Sequence, residues 1–323
     1  MKKEYGGFLT LEINAGEEYY GDSNYNLYRY NCAKAAINAY LMYKKPRKIY
    51  VPFYMCTSTC KSIEDIGIEV EYYPIDKDLL PNIDVDYEGV CIYLVNYFGI
   101  MDKKIEDYAT TVRNATLVID NCHSFFHQPI VKENVANIYS CKKFFGVPDG
   151  AYLITADDGL TQLEAFYSAD IAKYLLDGAE RGTNYCYNDK KEVDKYLASN
   201  YTGMSVLTQK LLKGIDYPAV IQKRRENFQT YQDAFSVMNV VKCEGESIPY
   251  IYPLNVGKNI KKELVEEKIY VPTLWGHIAE NGDKNSWEYE LAENTIFLPL
   301  DQRYGMDDIT YIINCVKEKL ARK

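Results

Sequence analysis

The chain is predicted to be an α/β protein: a large domain with a mostly parallel sheet and helices on both faces, then a smaller C-terminal α+β domain. Three observations point there. Short runs of Val, Ile, Leu and Tyr recur through the first two thirds of the chain, and their unbroken apolar character suits strands buried on both faces. Helix-like stretches separate these runs, the alternation of a layered α/β fold. From Tyr167 the texture turns polar and helical, with only two further strand-like pieces.

The expected strands are Lys48–Phe53, Ile68–Pro74, Gly89–Val95, Thr116–Asp120 and Ala151–Thr155, with helices over Ala33–Tyr43, Ser58–Ile66 and Lys103–Thr111. In such sheets ligands bind beyond the carboxyl ends of the strands. A long helix from Met204 to about Phe235 is expected to break near Gly214–Pro218, and its charged run QKRREN reads as a solvated face. Tyr250–Leu254, an edge strand at best because of Pro253, and Thr295–Leu298 supply the later strands, and a helix over Asp307–Ala321 follows. The large domain is assigned to residues 1–212 and the small one to 213–323. No low-complexity linker divides them, so they should pack closely.

The net charge of −9 argues against nonspecific binding to nucleic acid or an anionic membrane. The N-terminal segment carries no apolar run long enough for a secretory signal, and no segment reaches transmembrane length. Nine scattered cysteines then read as reduced thiols of a cytoplasmic protein. Cys56 and Cys60 stand at i,i+4 spacing without a second Cys/His pair, so no metal site is expected.

Three constellations could carry chemistry. An apolar strand ends in Asp120, with His123 just beyond; an acid there points into the ligand crevice or caps the next turn. Lys142 and Lys143 lie in a short, otherwise apolar segment, Tyr139 to Ala151, that includes Ser140 and a Pro-Asp-Gly turn; a lysine in apolar surroundings has a lowered pKa and can act as a nucleophile, or it is a surface residue beside a turn. Ahead of both, a polar stretch leads into the Ala-rich start Cys32-Ala33-Lys34-Ala35-Ala36, where backbone amides and the helix dipole could hold a phosphate.

In this order the segments resemble the DegT/DnrJ/EryC1/StrS family, fold-type I pyridoxal-phosphate (PLP) enzymes that act as sugar aminotransferases. Gly6-Gly7-Phe8 through Glu12 is similar to its lead-in. Cys32 to Ile37 is similar to its phosphate segment, Asp120 with His123 to its Asp-x-x-Gln/His, and Lys143 followed by Gly150-Ala151 to its Lys with a later Gly-Gly. Arg224 to Asn227, Ile269 to Trp275 and Leu298 to Tyr304 are similar to later signatures.

The resemblance implies that Lys143 carries PLP as a Schiff base and shuttles a proton, with Lys142 its competitor. It implies that Asp120 keeps the pyridinium nitrogen protonated and that His123 packs near the ring or hydrogen-bonds its phenolic oxygen. Ala33, Lys34, Ala35 and Ser140 would hold the phosphate. The ring-stacking aromatic falls at Cys56, with Tyr54 as a nearby substitute. Asn200 stands where the family reaches into a neighbouring subunit's site, but the arginine that accompanies it is missing. The implied activity is transfer of an amino group from Glu or Gln to a keto sugar, nucleotide-linked, in surface-polysaccharide or related biosynthesis, by a homodimer with shared sites. Another PLP reaction on the same fold, dehydration or transamination of a non-nucleotide substrate, and a catalytically degenerate binding or regulatory subunit are the competing readings. Arg29, Arg224, Arg225 and Arg303 are candidate anion ligands or ordinary structural arginines.

Overall fold

The computed structural model describes residues 5–21, 24–83, 88–243 and 247–322. The first part of the chain alternates β1 (Asn26–Tyr30), α1 (Ala33–Lys44), β2 (Lys48–Pro52), α2 (Thr57–Glu64), β3 (Glu69–Tyr73), β4 (Val90–Val95), α3 (Asp102–Thr111), β5 (Thr116–Asp120), β6 (Val135–Ser140) and β7 (Ala151–Thr155). These strands form one seven-stranded sheet in the order β1-β7-β6-β5-β4-β2-β3. All neighbours from β6 to β3 pair in parallel, and β7 runs antiparallel to both β6 and β1. The sheet is therefore mostly parallel, as expected. Central β4 is buried at every position, which is what its unbroken apolar run encodes.

Two strands were not anticipated. β6 contains Asn137, a poor strand residue. Its buried amide is fully used: it donates to the carbonyls of Ile130 and Ile154 and accepts from the Ile130 amide. β1 mixes polar and aromatic residues, as suits the sheet edge it occupies.

The remainder comprises α4 (Lys173–Arg181), α5 (Tyr187–Ser199), α6 (Val206–Lys213), α7 (Tyr217–Phe235), β8 (Tyr252–Asn255), α8 (Lys261–Glu266), α9 (His277–Asn281), α10 (Trp287–Asn294), β9 (Thr295–Leu298) and α11 (Met306–Ala321). The break between α6 and α7 falls at Gly214, as the sequence suggested. Asp216 restarts the helix by accepting the Ala219 amide at 3.0 Å. The charged run on α7 departs from its expected solvated character, because Arg224 and Asn227 are buried. Asn227 donates to the carbonyls of Leu300, Asp301 and Tyr304 and so fastens α7 to the segment after β9. β8 and β9 form a separate antiparallel pair. They share a core with Tyr231 and Phe235 of α7 and Ile309 and Ile313 of α11. Val241, Ile278, Leu291 and Phe297 join instead the core around β2, β4 and β5, so the C-terminal part packs directly on the sheet domain.

Candidate active site

A cavity of about 900 Å³ opens beyond the carboxyl ends of β4, β5 and β6, where ligands bind in open α/β sheets. Ala33, Lys34, Cys56, Asp120, His123, Ser140 and Lys143 all line it. Three expected residues do not. Ala35 is buried beneath the start of α1, and only its backbone amide remains a candidate. Asn200 donates to the Tyr196 carbonyl and offers its own carbonyl to Asn31, outside the cavity of its own chain. Tyr54 is fully buried, edge-on to Trp275 at 4.5 Å, and its ring cannot face a ligand. Position 54 continues the chain into the core just past β2, while Met55 and Cys56 turn to the cavity.

Asp120 is the last residue of β5, in register with Val95 of β4 and Ile138 of β6. One carboxylate oxygen accepts the Cys122 amide at 2.9 Å and the other the Tyr93 hydroxyl at 2.8 Å. Lys143 ends a single 3₁₀ turn that follows β6. The turn is closed by the Cys141 amide on the Gly150 carbonyl at 3.0 Å. Gly150 has φ +120°, and a Cβ there would meet Thr208 at 3.0 Å and Cys141 at 3.2 Å, so only glycine fits.

Lys143 is exposed to the open cavity, with protein groups gathered around its stem. Its pKa departs from the sequence expectation. Burial pulls the amine down, but the Cys122 thiol, the Tyr250 phenol and the Asp120 carboxylate outweigh that pull and leave it above the ordinary lysine value. The local segment is apolar; the groups that face it across the cavity are not.

His123 is sandwiched between Tyr250, with ring centroids 4.9 Å apart and planes at 11°, and Phe98, at 6.3 Å and 18°. With these rings against it, the imidazole forms part of the cavity wall. Burial, and then the charge of Lys143, hold the imidazole well below its usual value, so it is neutral. The Phe98 amide points at Nδ1 from 3.4 Å, which leaves the ring proton on Nε2 as a donor. Gly99 makes this arrangement possible: at φ +75°, a Cβ would come within 2.3 Å of the His123 carbonyl.

Six lysines and arginines line the cavity against three aspartates. Asp194 pairs with Lys142 at 2.8 Å and Lys190 at 2.6 Å, and Asp301 holds Arg303 at 2.7 Å. Arg224 is buried and donates to the carbonyls of Pro249 and Tyr250 and to Gln302. Lys34 and Lys143 make no ion pair with a described residue. Burial raises the Cys32 thiol above its ordinary value against the pull of the Ala35 and Lys34 amides and the Lys34 charge, whereas at Cys56 the Ser58 side chain and amide, Lys34 and the Thr59 amide outweigh burial. The first amides of α1 and the Lys34 ammonium both favour an anion there. The Ala36 amide already bonds the Cys32 carbonyl, so the amides of Ala33, Lys34 and Ala35 are those without an intrahelical acceptor.

Tyr93, Phe144, Tyr250, Trp275 and Gln302 were given no site role from sequence, although Trp275 and Gln302 fall in the later signatures, yet all line the cavity. Trp275, with φ 51°, carries the one local mark, a left-handed backbone that the sequence does not announce.

The chain shares its fold with solved aminotransferase structures. Among solved structures, the chain superimposes on Spr1654 from Streptococcus pneumoniae in its PMP form with a TM-score of 0.62 and 16% identity, over 91% of this chain and 87% of that one. It matches a DegT DnrJ EryC1 StrS aminotransferase from Brucella abortus with a TM-score of 0.60 and 14% identity, over 92% and 86%. It also matches DesI, solved in the presence of its TDP-sugar product, with a TM-score of 0.60 and 15% identity, over 92% and 81%. No protein-family model and no curated protein sequence matches the chain.

Proposed function

We propose that the chain is a PLP-dependent aminotransferase that moves an amino group from Glu or Gln to a keto sugar, nucleotide-linked, in surface-polysaccharide or related biosynthesis. The observation that carries this reading is the pair formed by the Asp120 carboxylate and the Lys143 amine on one cavity, in a fold shared with aminotransferases. The donor set fits the cofactor: a carboxylate for a ring nitrogen, an amine for an aldehyde, and a cationic helix start for a phosphate. Bound PLP would supply an aldehyde that takes up amines and a ring that withdraws electrons from the carbon losing its proton.

Asp120, fixed through both oxygens, would keep the ring nitrogen protonated. The Nε2–H of His123 would meet the ring's phenolic oxygen. The amides of Ala33, Lys34 and Ala35, the Lys34 ammonium and Ser140 would hold the phosphate, and Lys143 would take and return the proton at the reacting carbon. The cavity extends past this set to Tyr270, Trp275, Arg303 and the α4–α5 wall. Its size suits a substrate larger than an amino acid, and its excess of cations suits an anionic one. Shared sites in a homodimer belong to the reading, with Asn200 serving the neighbouring copy. A cytoplasmic setting does too, supported by nine cysteines that are all unpaired. A large domain of residues 1–212 and a small one of residues 213–323 belong to the reading as well.

Cys56, where an aromatic would otherwise face the ring, favours one second reading: a different PLP reaction, dehydration or transamination of a non-nucleotide substrate, on the same scaffold. A single titration separates these. The protein should take up PLP with a visible absorbance band, lose that band on addition of Glu or Gln as the amine form accumulates, and regain it with a nucleotide-linked keto sugar. PLP uptake without the amine form, or an amine form that the nucleotide-linked keto sugar does not reverse, supports the second reading, and no uptake removes both.

A further inference from the structure

Tyr93 sits on β4, one strand away from Asp120, and is completely buried. The parallel register pairs Tyr93 with Val118 and Val95 with Asp120, so the phenol reaches forward along β5 to the carboxylate at its end. The Tyr93 hydroxyl donates to one Asp120 oxygen at 2.8 Å, and the Cys122 amide donates to the other at 2.9 Å. A carboxylate has about four lone-pair directions. With one on each oxygen claimed by the protein, the group cannot rotate about its last bond without breaking a charge-assisted hydrogen bond.

We propose that Tyr93 is a positioning residue that locks the plane of the Asp120 carboxylate for a ring nitrogen in the cavity. The proposal rests on the cofactor reading above. Tyr93 belongs to the cavity wall as well as to the core, so its hydroxyl is placed at the boundary where packing ends and chemistry begins. The Tyr73 hydroxyl, by contrast, donates at 2.6 Å to the Tyr93 backbone carbonyl and does not contact Asp120. It provides a matched control: a buried tyrosine hydroxyl on the same strand system without the carboxylate.

The test measures PLP affinity, and the pH midpoint of the visible absorbance, for the wild type, Tyr93→Phe, Tyr73→Phe, Asp120→Ala and the Tyr93→Phe/Asp120→Ala double variant. Loss of a hydrogen bond to a charged group should weaken PLP binding by about tenfold in Tyr93→Phe and move the midpoint. Tyr73→Phe should match the wild type in both. In the Asp120→Ala background, Tyr93→Phe should have no further effect on affinity, because Tyr93 acts through the carboxylate. Wild-type behaviour of Tyr93→Phe overturns the proposal alone. So does an unmoved midpoint, or an equal loss in Tyr73→Phe, since packing would then explain it, and so does a Tyr93→Phe loss that persists without Asp120. A wild-type chain that takes up no PLP overturns the cofactor reading and this proposal together.

Discussion

The Lys142 ammonium lies 2.8 Å from the carboxylate of Asp194 on α5, and this contact separates two adjacent lysines. Lys142 is tied to the helical wall of the cavity, beside the Tyr174 ring. Lys143, next to it on the same turn, is left among Cys122, Tyr250 and Asp120. The resemblance prefers Lys143 for its spacing to Gly150, and the tie of Lys142 to α5 supports the same reading.

Lys142→Ala should therefore keep the visible absorbance of PLP-loaded protein. Because Asp194 is partly exposed and also paired with Lys190, the loss of stability should be about 1 kcal/mol or less. Absorbance titration and urea unfolding of the variant check both statements. Loss of the band with Lys142→Ala would assign the wrong lysine.

Tyr54 can be separated from the site in the same way. Its hydroxyl is buried with no hydrogen-bond partner among the described residues. A buried unsatisfied hydroxyl is costly, and removing it is neutral or stabilising. Tyr54→Phe should leave the melting temperature unchanged or higher and should not alter PLP uptake. Tyr54→Leu should also retain the cofactor's spectrum, since no ring stacks there. A bleached spectrum in a folded Tyr54→Leu protein would return Tyr54 to the cavity.

Cys56 stands apart among the thiols. Burial raises it, but the Ser58 side chain and amide, Lys34 and the Thr59 amide reverse that and leave it below the ordinary thiol value. Burial keeps Cys60, Cys91, Cys122, Cys141 and Cys243 above it. Since the thiolate is the reactive form, iodoacetamide should label Cys56 first among these six. Bound PLP should slow the labelling, because Cys56 lines the same cavity. Peptide mass spectrometry over a time course reads the order directly.

All three histidines are held below the ordinary imidazole value, chiefly by burial. Unfolded histidine takes up a proton near pH ~6.5, and the folded chain resists doing so. Below that pH the unfolded state binds more protons. Stability is thus complete above about 6.5 and is lost as pH falls, by up to ~1.4 kcal/mol per pH unit for each histidine. Urea midpoints at about pH 7.5 and 5.5 should show this fall. His127→Gln, which leaves the cavity untouched, should make it shallower. A profile with no fall would mean that the imidazoles protonate in the folded protein.

Where one segment carried its own signal, the sequence was sufficient. The apolar runs of β4, β5 and β7, the Gly214 break and the order of Asp120, His123 and Lys143 could all be read directly. β6 escaped because Asn137 interrupts it, and its tertiary partners are what make a buried amide tolerable there. The far wall of the cavity escaped for a different reason. Tyr250 and Trp275 reach His123, and Tyr250 reaches Lys143, only after the C-terminal part packs on the sheet. Tyr93 was hidden among 32 tyrosines, since inside an apolar strand nothing distinguishes a phenol that serves a carboxylate from one that only fills space. Tyr54 and Cys56 show the limit of spacing arguments, for the turn after β2 decides which residue faces the cavity.

The central claim is that the amine of Lys143 is the one that joins the cofactor. Protein incubated with PLP, reduced with borohydride and digested should yield one dominant pyridoxyl-labelled peptide, with the label on Lys143 and less of it recovered from Asp120→Ala protein at the same PLP concentration. Label on Lys142 or Lys34, or label spread over surface lysines, would contradict the account.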